Sequence, residues 1–217
     1  MGKYIFLALL FLTVTSQAQN ISTRRDSLRT NVCWYLGIST SGTDLLTTAK
    51  INNAVNNAIH ETCKDYPAYV KLDTVKIDSA AVGGSLNNDF RDLKTVFFIL
   101  GDTVRMPVEI IEPDTLKRKQ PTISDNLFVE GKNVIVRYCW SEDSLLRISA
   151  KWRNAVDTAK FEIEYFAYDS MLTSDSDKTL ISADYLLNVI YRACSTLEEI
   201  RGNPAKADKW LLRYRGQ

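Results

Sequence analysis

The residues with chemistry to offer are few and scattered. His60 is the single histidine of the 217-residue chain and is followed by Glu61, so a Ser-His-Asp or Cys-His nucleophilic pair would have to be built around it. It falls mid-helix between Asn-rich turns, where a surface or subunit-contact role suits it better than catalysis. Four cysteines, Cys33, Cys63, Cys139 and Cys194, are widely separated and form no Cys-x-x-Cys pair, which removes zinc-ligand spacing. They read as small buried thiols, three in helices and Cys139 in a strand. In an exported chain one or two disulfides become possible, and the pairing stays open. Gly83-Gly84 lacks the Lys-Ser/Thr that completes a phosphate loop and opens no helix. Glu162 and Glu164 alternate on the wet face of a strand, which accounts for them without glycosidase chemistry. The four Trp and ten Tyr would suit carbohydrate binding in an exported protein, but read first as core and interface anchors. No catalytic set, metal site or cofactor is expected.

What remains is polar and basic surface. Residues 43–66 read as one amphipathic helix, with Thr43 as N-cap, Asp44 at the positive end of the dipole, and Pro67 ending the pattern at Tyr66. Ile51, Val55, Ala58, Ile59 and Thr62 make its apolar stripe, and Lys50, Asn53, Asn56, Asn57 and Lys64 its other face. Residues 80–88, with Gly83-Gly84 and Asn87-Asn88, read as an exposed loop. Past Gly202 the tail carries Lys206, Lys209, Arg213 and Arg215 against Asp208 alone. That basic end is either a solvated helix face with cations at a helix C-terminus, or a salt-dependent contact with an acidic surface or DNA. The candidate interface residues are therefore Asn53, Asn56, Asn57, His60, Gly83, Gly84, Asn87, Asn88, Lys206, Lys209, Arg213 and Arg215.

The elements that must position these residues follow from periodicity. A hydrophobic content of 45% and a charged content of 24% are those of a folded chain, and a net charge of +1 gives no global pull toward nucleic acid or membrane. Residues 1–18 have the form of a secretory signal: Lys3, an apolar run over 4–14, then Ser16-Gln17-Ala18 with a cut before Gln19. The run is too short to span a bilayer; the alternative is a retained arm packing on a neighbouring subunit. A first helix over 22–36 closes at Gly37, and the short loop 38–42 sets the next helix antiparallel to it. Strands follow over 70–77, 94–100 and 103–109, the last two joined by a turn at Gly101-Asp102. Residues 112–124, with Lys117-Arg118-Lys119, read as a short helix plus loop, and 127–129 with 134–140 as a hairpin about the turn 130–133. Segments 145–152 and 161–168 suit an antiparallel pair, with Phe161, Ile163 and Tyr165 on one face. A helix over 182–201, carrying Leu186, Val189, Ile190, Ala193, Leu197 and Ile200, ends at Gly202. Asn203 then caps a final helix that has Pro204 at its first position. The expected fold is α+β: a helical frame (22–66 and 182–215) with an inserted, mostly antiparallel sheet (70–168), one domain over 19–217.

That order, and several of its segments, resemble the head–tail connector (adaptor, or ring) proteins of tailed bacteriophages. The matching pieces are Tyr35-Leu36-Gly37, Thr43-Asp44 opening a helix with Ile51-Asn52-Asn53-Ala54, and Asp65-Tyr66-Pro67-Ala68. Further on come Tyr165-Phe166-Ala167-Tyr168, the run 175–177, Tyr185, and the ending from Asn203-Pro204 through Trp210-Leu211 to Tyr214. The resemblance implies a non-enzymatic structural virion protein at the head–tail junction: a homo-oligomeric ring, a dodecamer because portals are twelvefold, bound to the portal and to other tail or ring proteins. It also implies transient contact with DNA in the channel and no membrane partner for the mature protein. The signal-like N-terminus departs from that pattern and supports the alternative, an exported bacterial binding or structural protein in the periplasm or outside the cell.

Overall fold

A computed structural model describes residues 23–78, 83–100, 104–112, 138–148 and 158–216. The signal-like segment, the Gly101-Asp102 turn, nearly all of 112–124 and the 127–140 hairpin up to residue 137 lie outside the described residues. The chain is α+β, with α1 (Arg25–Leu36) and α2 (Thr48–Asp65) before an inserted sheet and α3 (Leu186–Ile200) and α4 (Pro204–Tyr214) after it. It divides into a helical unit, Met1–Asn56 with Leu172–Thr179 and Leu186–Gln217, and a sheet unit, Asn57–Met171 with Leu180–Tyr185. The division falls inside α2.

In the helical unit both early helices begin later than their sequence pattern. Thr43 does not cap α2; its hydroxyl accepts from the Leu46 amide (3.1 Å) and its own amide donates back to the Leu46 carbonyl, closing a turn. Thr47 takes the capping position, its Oγ1 accepting from the Lys50 amide. The two threonines offer the same capping chemistry, which is why the pattern misplaced the start. The end of α1 is as expected. Gly37 sits at φ 65°, and bonds from Gly37 to Trp34 and from Ile38 to Cys33 satisfy the last carbonyls.

Leu28, Val32 and Cys33 of α1 and Leu186, Val189, Ile190, Ala193, Cys194 and Leu197 of α3 are buried. Each such Leu or Ile contributes about 1.5–3 kcal/mol relative to exposure. Ile200, expected in that stripe, is 40% exposed, because it lies in the last turn of its helix. Across the α3–α4 pair Ser195 donates to the Ala207 carbonyl and Asn188 to that of Tyr214. Asn203 precedes Pro204 as expected, but its side chain makes no cap; it donates to Glu198 (2.8 Å) instead.

A strap over 172–179 fastens α1. Asp175 accepts from Arg25 (2.9 Å) and from both terminal nitrogens of Arg29 (2.8 and 3.0 Å), and the backbones of Arg24 and Lys178 pair in an antiparallel β-bridge. Asp177 accepts from the amides and hydroxyls of Thr173 and Ser174, which fixes the turn of the strap.

The sheet unit holds β1 (Val70–Asp78), β2 (Gly84–Ser85), β3 (Phe90–Leu100), β4 (Val104–Ile110), β5 (Tyr138–Glu142), β6 (Leu145–Ile148) and β7 (Thr158–Ala167). Their order is β1-β7-β3-β4-β5-β6-β2, antiparallel except for β4 with β5. Among the described residues the pairing expected between 145–152 and 161–168 does not form. β6 pairs with β5 and β2, whereas β7 lies between β1 and β3. A local reversal decides this. Asp143 and Ser144 both adopt positive φ (52° and 58°) and fold β5 back on β6.

Alternation in β7 is as read: Phe161, Ile163 and Tyr165 are buried with Val75, Ile77, Val96, Phe98, Cys139 and Leu146 in one core. Although β1 and β2 stand at opposite ends of the strand order, they lie against each other, so the sheet curls. Arg91, at a register shift in β3, donates to the carbonyls of Cys63, Lys64 and Tyr66 and so caps the C-terminus of α2.

Candidate functional site

The ends of three helices build one cleft in the helical unit. The last turn of α1 supplies Tyr35 and Leu36, the end of α3 supplies Glu198 and Arg201, and α4 supplies Lys206, Lys209, Trp210 and Arg213 around a volume of about 410 Å³. Aromatic packing sets its wall. Trp210 meets Tyr35 edge-on (5.8 Å between ring centres) and Tyr191 in a stacked arrangement (5.9 Å), and the Arg213 guanidinium lies 4.8 Å over the indole. Burial, with Tyr191 beside it, pushes the Tyr35 phenol up from its usual value.

Charge in the cleft is unbalanced. Glu198 is 3% exposed, and its carboxylate is held by Arg201 (3.1 Å) and Asn203 (2.8 Å), so its charge is already answered. Neither Lys206 nor Lys209 has an ion-pair partner among the described residues, and both are exposed. A surplus of cations over an apolar wall gives this cleft the chemistry of an anion receptor.

Three of the residues singled out from sequence, Lys206, Lys209 and Arg213, are thus brought together. Arg215 follows the end of α4, exposed, and does not line the cleft. Asn53, Asn57 and His60 are exposed on α2, with the His60 ring stacked on Tyr168 (4.6 Å). Asn56 is corrected: it is 9% exposed, because its amide donates to the Leu172 carbonyl (3.0 Å) and its oxygen accepts from the Leu172 amide (3.1 Å). Gly84 is also corrected. It is buried in β2 against β1, and Gly83 is half-buried. Asn87 and Asn88 are exposed, Asn87 donating to Asp73 (2.7 Å) and to the Tyr165 hydroxyl (3.2 Å).

Sequence reasoning missed Tyr35, Glu198, Arg201 and Trp210 as partners of the basic tail. The pairs Glu198–Arg201 and Trp210–Arg213 stand at the i, i+3 spacing that puts side chains on one helix face. Tyr35 had no local signal, because its partners come from the far end of the chain.

All four cysteines are free and buried. Desolvation pushes the Cys139 thiol up to about 12, and raises Cys33, Cys63 and Cys194 as well, which leaves them little thiolate at neutral pH. Among the described residues no group of three or more His, Cys, Asp or Glu is placed to hold a metal ion. Neither a protein-family model nor a curated protein matches the chain.

Proposed function

We propose that this chain is a structural assembly protein of the head–tail connector kind, working as a non-enzymatic ring subunit between portal and tail. The observation that carries the reading is the frame. Two helices precede and two follow an inserted, mostly antiparallel sheet along the chain, the order that the resemblance implies. The segments behind the resemblance have structural work in that frame: Tyr35 and Leu36 in the cleft, Asp175 and Asp177 in the strap, Trp210 in the aromatic wall. A ring closes when one surface of a subunit meets a different surface of the next. The exposed residues Asn53, Asn57 and His60 on α2, the loop at Asn87-Asn88 and the basic face of α4 are the surfaces available for this.

Native mass spectrometry of the protein taken from the particles or cells that make it is the test. A closed multimer of the 24.6 kDa chain, with a portal protein in the same assembly, is the expected result; a monomer in every preparation overturns the reading. The apolar run and Ser16-Gln17-Ala18 favour a second reading, an exported binding or structural protein of the periplasm or cell exterior. That reading requires a mature chain beginning at Gln19.

A further inference from the structure

We propose that the cleft between the ends of α1, α3 and α4 is a docking site for an acidic peptide segment of a partner protein, its carboxylates paired with Lys206, Lys209 and Arg213. The first support is the placement of the charges. Cations favour the last turn of a helix and disfavour the first, yet Lys206 stands in the first turn of α4, which holds no acidic residue. The helix dipole does not favour Lys206 there, whereas a bound carboxylate would. Lys206, Lys209 and Arg213 stand at i, i+3 and i+7, so their backbones span about 10 Å of one helix face. Carboxylates one turn apart on a helix, or two residues apart on a strand, repeat within that length.

The second support separates carboxylates from nucleic acid. Single-strand binding uses an open aromatic platform on which bases stack. Trp210 offers none, since Arg213, Tyr191 and Tyr35 already engage its ring. Duplex phosphates lie on a convex surface and follow a field of positive charge, but the chain carries only +1 and the cations here line a cavity. A cavity with Tyr35 and Leu36 on one side and lysines on the other suits a Glu side chain, with an apolar stem and a charged head. The inference rests on the connector reading only for which protein supplies the segment. Binding is measured apart from assembly mass, so the two fail independently.

Fluorescence anisotropy of the full-length protein with a labelled peptide alternating Glu and Leu tests it. A Gln-for-Glu peptide and a short DNA duplex serve as comparison probes. The Glu peptide is expected to bind at low salt and to weaken as salt rises, and the Gln peptide is expected not to bind. Affinity is expected to fall at least about tenfold in the paired variant K206E/K209E and to survive in K206R/K209R. Both lysines are exposed, and circular dichroism checks that each variant is folded. Failure of the Glu peptide to bind, or equal binding to K206E/K209E, overturns the proposal. Tighter binding of the duplex through the same two lysines also overturns it and assigns the cleft to phosphodiesters.

Discussion

Asn56 shows how far one side chain can be from its surface pattern. Among Asn53, Asn57 and Lys50 it reads as one more wetted amide, yet it satisfies both backbone groups of Leu172. Its partner is 116 residues away, and no local period records such a bond. Asn56→Ala leaves the buried Leu172 N–H unpaired, while the Leu172 carbonyl keeps Arg25 as a donor, and is expected to cost about 1–3 kcal/mol in urea unfolding. Asn56→Asp keeps the acceptor but loses the donor, and is expected to be destabilising as well.

Asp175 carries a pH dependence. The guanidinium groups of Arg29 and Arg25 hold its carboxyl down to about 2, below the ordinary value near 4. The unfolded chain therefore takes up this proton first. The contribution to stability is complete above about pH 4 and is lost as the pH falls through about 2. In Asp175→Asn the thermal midpoint is expected to be lower at neutral pH and to decline less steeply below pH 4, as read by circular dichroism across that window.

At the scale of elements, alternation and caps were legible because they are local. Phe161, Ile163 and Tyr165 repeat with period two and Gly37 follows the last apolar turn, so β7 and the end of α1 needed nothing from elsewhere. The pairing of β3 with β4 was legible from the short return between 100 and 104, but the partners of β6 and β2 were not, because β6 is placed by the Asp143-Ser144 reversal, and the contact of β2 with β1 joins the two ends of the strand order. Gly84 makes that second contact. A Cβ there would fall 2.2 Å from Val75 Cγ1 and 2.9 Å from the Lys76 carbonyl oxygen, too close for either neighbour to accept without moving. Gly84→Ala is therefore expected to lower stability by about 1–3 kcal/mol in denaturant unfolding. The basic cleft was half legible: the lysines stand out in the tail, while the aromatic wall needed the helices to be packed.

For the whole molecule the two functional readings differ in mass. Intact mass spectrometry of the native protein, with and without reductant, is expected to give residues 1–217 with four free thiols if the apolar N-terminus belongs to a ring subunit. A chain starting at Gln19 with a disulfide would instead establish export. Among the described residues no helix is long and apolar enough to cross a membrane. The Arg25 and Arg29 clasp on Asp175 joins residues 150 and 146 positions apart, and this bears on synthesis. The sheet strands all lie within Asn57–Met171 and can pair while the ribosome is still working. α1, made first, waits until the strap and α3 have left the exit tunnel before its apolar face is covered. A chain released early, before Leu172, would contain every strand of the sheet but carry an uncovered Leu28, Val32 and Cys33, a surface that chaperones and proteases recognise.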